Sequence, residues 1–343
     1  MTHKKPSIND LAKKLNISKT TISFILNGKA KEKRISETLV ERVKAEALKL
    51  GYIPNQFAKS LRTGKTHIIG LMVEDISNPF FATIAKYIED KVYQNGYRII
   101  YCSTENDKNR AKEFLDMFET LGVDGCILAP PRGLENEILE MAERGKPVVL
   151  FDRQFGSRHT DAVLVDNQGG TGQAVDHLVS RGYRDIAMVA LALDKPEKED
   201  RIVGYINAIA AHKLKSHVHA LPFKNQYLDY VDGVRKIIVD GKFDAVIFGT
   251  NYLGIAGLEA INKLKLKIPK DIAMVSFDDH DLFRIHKPGI TVIAQPIEEI
   301  AQTVIDTLLA TLQQSVAQKR VAKMITLSTT LIPRESSARH KAD

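Results

Sequence analysis

Cysteine is scarce. Only Cys102 and Cys126 occur in 343 residues, both within strand-like apolar runs, so two buried reduced thiols in a cytosolic protein are expected. No histidine pair accompanies them, and no zinc spacing arises. No apolar run approaches the ~18 residues of a membrane span, so no membrane partner is expected. The opening Met-Thr-His-Lys-Lys-Pro holds no apolar stretch, and a signal peptide is not expected. Catalytic motifs are missing too. There is no Gly-x-Ser-x-Gly elbow. None of His67, His159, His177, His212, His217, His219, His280 and His286 falls in His-Glu-x-x-His spacing. Gly169-Gly170-Thr171-Gly172 resembles a phosphate loop only superficially, being neither Gly-x-Gly-x-x-Gly nor a Walker sequence; it reads as helix-start glycines for close packing. No enzymatic activity, metal or cofactor is expected. A transport receptor is the other alternative, and the missing signal peptide argues against it.

What is present is a polarised charge. The chain carries a net +7, but residues 1–66 hold 15 Lys/Arg against 5 Asp/Glu, while the remainder holds 34 against 37. The positive excess sits where phosphate neutralisation would need it. In the same segment Ile8, Leu11, Ala12 and Leu15 fall on one face of a helix, capped by Ser7 with Asp10 in a capping-box position and ended by Asn16. Ser18 caps a second helix with Ile22, Ile25 and Leu26 inward. Two short helices joined by a tight turn predict a helix-turn-helix. On the second helix Lys19, Thr20 and Phe24 are placed to reach base edges. Ser18, at its start, and Thr21, Ser23 and Asn27 are placed for phosphates. Ser36 caps a third helix through Leu50, stopped by Gly51, and the stretch Gly28 to Arg34 is a basic loop suited to phosphates.

After Tyr52-Ile53-Pro54, Asn55 can cap one short helix ending before Gly64, too short to hold alone in water. Leu61, between Lys59 and Arg62, can act as a minor-groove wedge with the cations on phosphates, or be incidental in a plain linker. The run Gly51-Tyr52-Ile53-Pro54-Asn55, then Ala58-Lys59-Ser60-Leu61, resembles the head of the LacI-type (lactose/galactose/purine-repressor) family of bacterial transcription regulators. That resemblance spans essentially the whole chain. It implies a head at 1–54, a hinge at 55–65 and an effector-binding body at 66–337, with a frayed tail at 338–343. It implies a cytoplasmic homodimer on a near-palindromic double-stranded operator, acting as a repressor under small-molecule control. The minor-groove contacts would come from Asn55, Ala58, Lys59, Leu61 and Arg62. Phe24 departs from the Arg or His that many members carry for base contact, which leaves the operator sequence open. No leucine heptad follows Arg334, so a dimer is the default over a tetramer.

From Ile68 onward apolar strand-like runs alternate with helical periodicity: strands at 68–73, 98–101, 125–129, 148–151, 186–190, 245–248, 272–276 and 292–294, with helices between them. The pattern predicts an α/β fold: an all-α helix-turn-helix head followed by two doubly wound parallel sheets with strand ends facing a shared cleft. The family's periplasmic-binding-protein-like body implies lobe crossings near residues 162, 294 and 323, an N-lobe of about 66–162 plus 295–323, and a C-lobe of 163–294 plus 324–337. Asp152, Asn251, Asp278 and Gln295 each follow a strand, Arg201 opens a helix, and Phe80 and Phe223 offer stacking faces. Singly, a strand-end Asp or Asn can be a helix N-cap. Together they suit a sugar or sugar derivative, whose hydroxyls each donate and accept. The resemblance places the effector contacts at these seven residues: Phe80, Asp152, Arg201, Phe223, Asn251, Asp278 and Gln295. Asn251-Tyr252 replaces the usual Asn-Asp, and the charged 192–200 stretch replaces a Gly-Pro loop, so effector identity stays open.

Overall fold

The computed structural model describes residues 6–52, 64–153, 160–192, 199–223, 226–313 and 322–338. The chain separates into two compact units, Met1–Thr66 and His67–Asp343. The hinge positions Asn55, Ala58, Lys59, Leu61 and Arg62, and the tail beyond Ala338, lie outside the described residues.

Among its described residues the first unit holds three helices: α1 (Ile8–Leu15), α2 (Lys19–Leu26) and α3 (Glu37–Lys49). The Ser7/Asp10 capping box forms, and Asn16 ends α1 in the left-handed conformation at φ 53°. Ser18 caps α2 by accepting from the Thr21 amide, whereas Ser36 starts α3 without a side-chain cap. Leu11, Ile22, Ile25 and Val43 meet in the centre. Arg42 of α3 donates to the Leu15 carbonyl at 2.9 Å, satisfying an acceptor left open at the end of α1.

The second unit is two parallel-rich sheets. The first contains β1 (Ile68–Val73), β2 (Arg98–Ser103), β3 (Gly125–Leu128), β4 (Val148–Phe151), β5 (Asp161–Val165) and β11 (Met324–Leu327), in the order β11-β5-β4-β3-β1-β2. The second contains β6 (Ile186–Ala192), β7 (His217–Pro222), β8 (Ala245–Phe248), β9 (Ala273–Phe277), β10 (Thr291–Ala294) and β12 (Thr330–Ile332), in the order β12-β10-β9-β8-β6-β7. The orders match position for position. Among the described residues every pairing is parallel except β10 with β12.

Central strands are continuous apolar runs because both of their faces are covered. Over the first sheet lie α4 (Pro79–Gln94) and α12 (Ile297–Leu312) on one face, and α5 (Lys108–Thr120) and α6 (Glu135–Glu143) on the other. Over the second lie α7 (Asn167–Ser180) and α8 (Asp200–Ala211) on one face, and α9 (Tyr227–Asp240) and α10 (Asn251–Lys263) on the other. A short α11 (Asp281–Ile285) follows β9.

The chain passes between the two sheets after Val165, after Ala294 and after Leu327, so that β5 and β11 both belong to the first sheet. The close-packing reading of the α7 glycines holds for Gly169 and Gly170, whose added Cβ atoms would lie 2.1 Å from Asp166 Oδ2 and 2.4 Å from Thr329 Oγ1. It fails for Gly172, which faces open space.

Candidate functional site: an inter-sheet cleft and a helical head

The carboxyl ends of β1, β3 and β4 face those of β6, β8 and β9 across a cavity of about 680 Å³, ample for a small ligand. Phe80, Asp152, Arg201, Asn251, Asp278 and Gln295 all line it. Phe223 does not; it sits just past edge strand β7 and packs partly buried against the α9 and α10 core.

The two walls reuse one backbone device. Asp152 follows β4 and Asp278 follows β9, each with φ of 64°, a left-handed conformation unfavourable for a residue bearing Cβ. At Asp152 the Arg153 amide reaches back to the Phe151 carbonyl at 2.6 Å, closing a three-residue turn. Both aspartates line the cavity.

In the second wall, Arg201 donates from Nε to Asn167 Oδ1 at 2.8 Å and from Nη1 to the Gly249 carbonyl at 2.6 Å. Its guanidinium lies 3.8 Å over the Phe277 ring. Asp278 is buried and accepts from Gln295 Nε2. Burial pushes its carboxyl upward, opposed by the Arg201 charge and the Gln295 bond.

Sequence reasoning missed the corresponding machinery of the first wall. Glu74, directly after β1, is buried; its Oε2 accepts from Arg153 Nη2 and from Asn106 Nδ2, the latter at 2.7 Å. Arg153 Nη1 donates to Asn106 Oδ1 at 2.5 Å, and Nε lies 3.6 Å from Asp152 Oδ2. Burial raises the Glu74 carboxyl while the Arg153 charge draws it back. Burial also works against the Arg153 charge, but Glu74 and Asp152 outweigh it and hold the guanidinium protonated. The one available signal was an Arg adjoining a strand-end Asp.

Among the described residues contacts cross the cleft at two places. Asn78, which caps α4 by accepting from the Phe80 amide at 3.1 Å, exchanges hydrogen bonds with Asn251 at 2.8 and 3.4 Å. Arg132, beyond β3, pairs with Glu199, the N-cap of α8. Tyr252 lines the cavity in place of the usual aspartate, its ring 5.6 Å from that of Tyr230 and its phenol pushed upward by burial.

In the helical unit Lys19 and Thr20 are exposed on α2, and Phe24 is half-buried with Lys33 Nζ 5.4 Å from its ring centre. The residues read as phosphate contacts also bond within the helix: Ser18 Oγ lies 2.8 Å from Thr21 Oγ1, and Asn27 Nδ2 donates to the Ser23 carbonyl at 2.7 Å. Lys29, Lys31, Lys33 and Arg34 follow as an exposed basic run.

Residues 7–55 match the family described as bacterial regulatory proteins, lacI family, and residues 175–337 match a periplasmic binding protein-like domain. The HTH-type transcriptional regulator PtxS of Pseudomonas plecoglossicida is 30% identical over 338 residues, covering 96% of this chain and 95% of that protein. A solved LacI family transcriptional regulator from Enterococcus faecium with bound ribose superposes with a TM-score of 0.70 at 27% identity, over 80% of this chain and all of that one. The lac repressor dimer bound to operator and the anti-inducer ONPF shares the fold over 98% of this chain and all of that one, with a TM-score of 0.83 at 21% identity. Among the described residues no helix is long and apolar enough to cross a membrane, and no group of three or more His, Cys, Asp or Glu side chains could hold a metal ion.

Proposed function

The chain belongs to the lacI family of bacterial regulatory proteins and is a DNA-binding transcriptional regulator, and from that premise we propose that it is a cytoplasmic repressor whose operator affinity is set by a sugar or sugar derivative held between the two sheets. It works by binding, not by turnover. The observation that carries this reading is the cavity itself: aspartates, amides and an arginine bonded into fixed orientations beside an aromatic face, as a polyol demands. The ribose in the Enterococcus faecium relative supports the ligand class.

On DNA, two copies present two α2 helices to half-sites of a near-palindromic duplex. Lys19, Thr20 and Phe24 read base edges, while Ser18, Thr21, Ser23 and Asn27 fix register on phosphates. The segment 55–65 supplies the minor-groove contacts, with Leu61 opening the central base step. Ligand closure over the body biases that arrangement and so changes affinity for DNA.

Selection from a random duplex pool tests the reading. A common two-fold-related sequence should be enriched, and its recovery should change when sugars are added. An unenriched pool, with and without sugars, would defeat it. Leu61→Ala should weaken binding to the selected duplex more than to unrelated DNA; equal losses would remove the wedge.

A further inference from the structure

We propose that Glu74 makes the cleft select uncharged sugars over anionic ones, by occupying the guanidinium of Arg153 that an acid or phosphate group would otherwise take. The inference rests on the sugar-cleft reading above and adds the charge of the ligand.

A cavity lined with arginines would ordinarily suit carboxylates and phosphates. Here all three nitrogens of Arg153 face protein oxygen: Nη2 on Glu74, Nη1 on Asn106 and Nε beside Asp152 at 3.6 Å. The pair is enclosed, with 22% of the Arg153 side chain and 8% of the Glu74 side chain exposed. Asn106 adopts a left-handed conformation at φ 57°, which asparagine tolerates, and so sets one amide against both partners. The other two arginines among the described lining residues are committed as well. Arg201 spends Nε and Nη1 on Asn167 and Gly249 and faces the charge of Asp278. Arg132 is paired with Glu199 at the rim.

The described lining carries six carboxylates against three arginines. An entering anion therefore meets a net negative field with its best cation already neutralised, and must give up its hydration without replacement. A neutral polyol meets fixed donors and acceptors and incurs no such cost. Glu74 itself touches the wall, and its effect on the ligand acts through Arg153, so it is a positioning and specificity residue.

The test is calorimetric titration of the full-length chain with neutral pentoses and hexoses, each paired with its terminal phosphate and its onic acid. In the wild type the neutral member of a binding pair should be favoured by on the order of 100-fold. Glu74→Gln leaves Arg153 positive with Asp152 alone among its present carboxylate partners, and should bring the two members within about tenfold, mainly by tighter anion binding. The double variant Glu74→Gln with Arg153→Met removes both charges and should restore discrimination. Wild-type binding of an anion as tightly as of its neutral partner would overturn the filter while leaving the sugar cleft standing, as would undiminished discrimination in folded Glu74→Gln. If Glu74→Gln does not fold, the wild-type pairs decide alone. If no sugar of either charge binds wild type or variant, the cleft reading fails and the filter with it.

Discussion

The two walls of the cleft share strand order and the left-handed aspartate after their third strand, yet dispose of their arginines oppositely. In the first wall the guanidinium of Arg153 turns inward to a buried carboxylate, Glu74, so acid and base neutralise each other inside the protein. In the second wall Arg201 is held by an amide oxygen, a carbonyl and an aromatic face, all uncharged, while Asp278 is held by the amide of Gln295. Neutral partners fix the orientation of Arg201, while the charge it faces is that of Asp278. One duplicated scaffold thus yields a wall that excludes anions and a wall whose polar groups stay available to a ligand.

The sharpest way to break the comparison is to remove each arginine. Arg153→Ala strands Glu74 as a buried, unpaired carboxylate and should cost about 3–5 kcal/mol in denaturant unfolding. Arg201→Ala removes two hydrogen bonds to neutral acceptors and the charge facing Asp278, which keeps its bond from Gln295; it should cost less stability than Arg153→Ala while abolishing the sugar-induced shift in melting temperature, with apo binding to DNA near normal. Equal destabilisation by the two would erase the distinction. Asp278→Asn should likewise lose the sugar response, but without loss of melting temperature, because burial already disfavours its charged form. Across the rim, Arg132→Gln should change sugar affinity by no more than about fivefold, since 40% of the Arg132 side chain is exposed and such pairs are weak.

The smallest effect concerns His177, whose Nε2 lies 2.7 Å from Ser337 Oγ and ties α7 to the terminal turn. Burial, with Arg181 adding to it, lowers its pKa from the ordinary 6.5. The unfolded chain therefore takes up this proton first: the stability His177 contributes is complete above pH 6.5 and declines as pH falls through that value toward the lowered one. Melting temperatures measured across that window should fall less steeply in His177→Gln than in the wild type.

How much was legible beforehand follows the same physics. β1, β4 and β8 could be read because strands buried on both faces are unbroken apolar runs. β7 and β11 escaped because each is a sheet edge with exposed or half-exposed positions along most of its length. Among the described residues β12 is the only antiparallel strand, reached when the chain passes from β11 directly into the second sheet. Among the cleft residues, those that follow strands were found by position. Phe223 stands apart from them because β7 is a sheet edge, and the residue beyond it packs partly buried against the core of the second sheet. Glu74, Asn106 and Arg153 were invisible as a group: they lie 32 and 47 residues apart and meet only because β1 pairs with β2 and β3 with β4. No local periodicity encodes that meeting.

We propose above that a sugar in the cleft governs DNA affinity. The most direct measurement is a titration of the selected duplex with full-length chain, in wild type and Arg201→Ala, with and without saturating amounts of a sugar that calorimetry shows to bind the wild type. The wild-type dissociation constant should change by roughly 5- to 150-fold on adding the sugar, and that of the variant should not move. A wild-type affinity for DNA unaltered by a bound sugar would contradict the account.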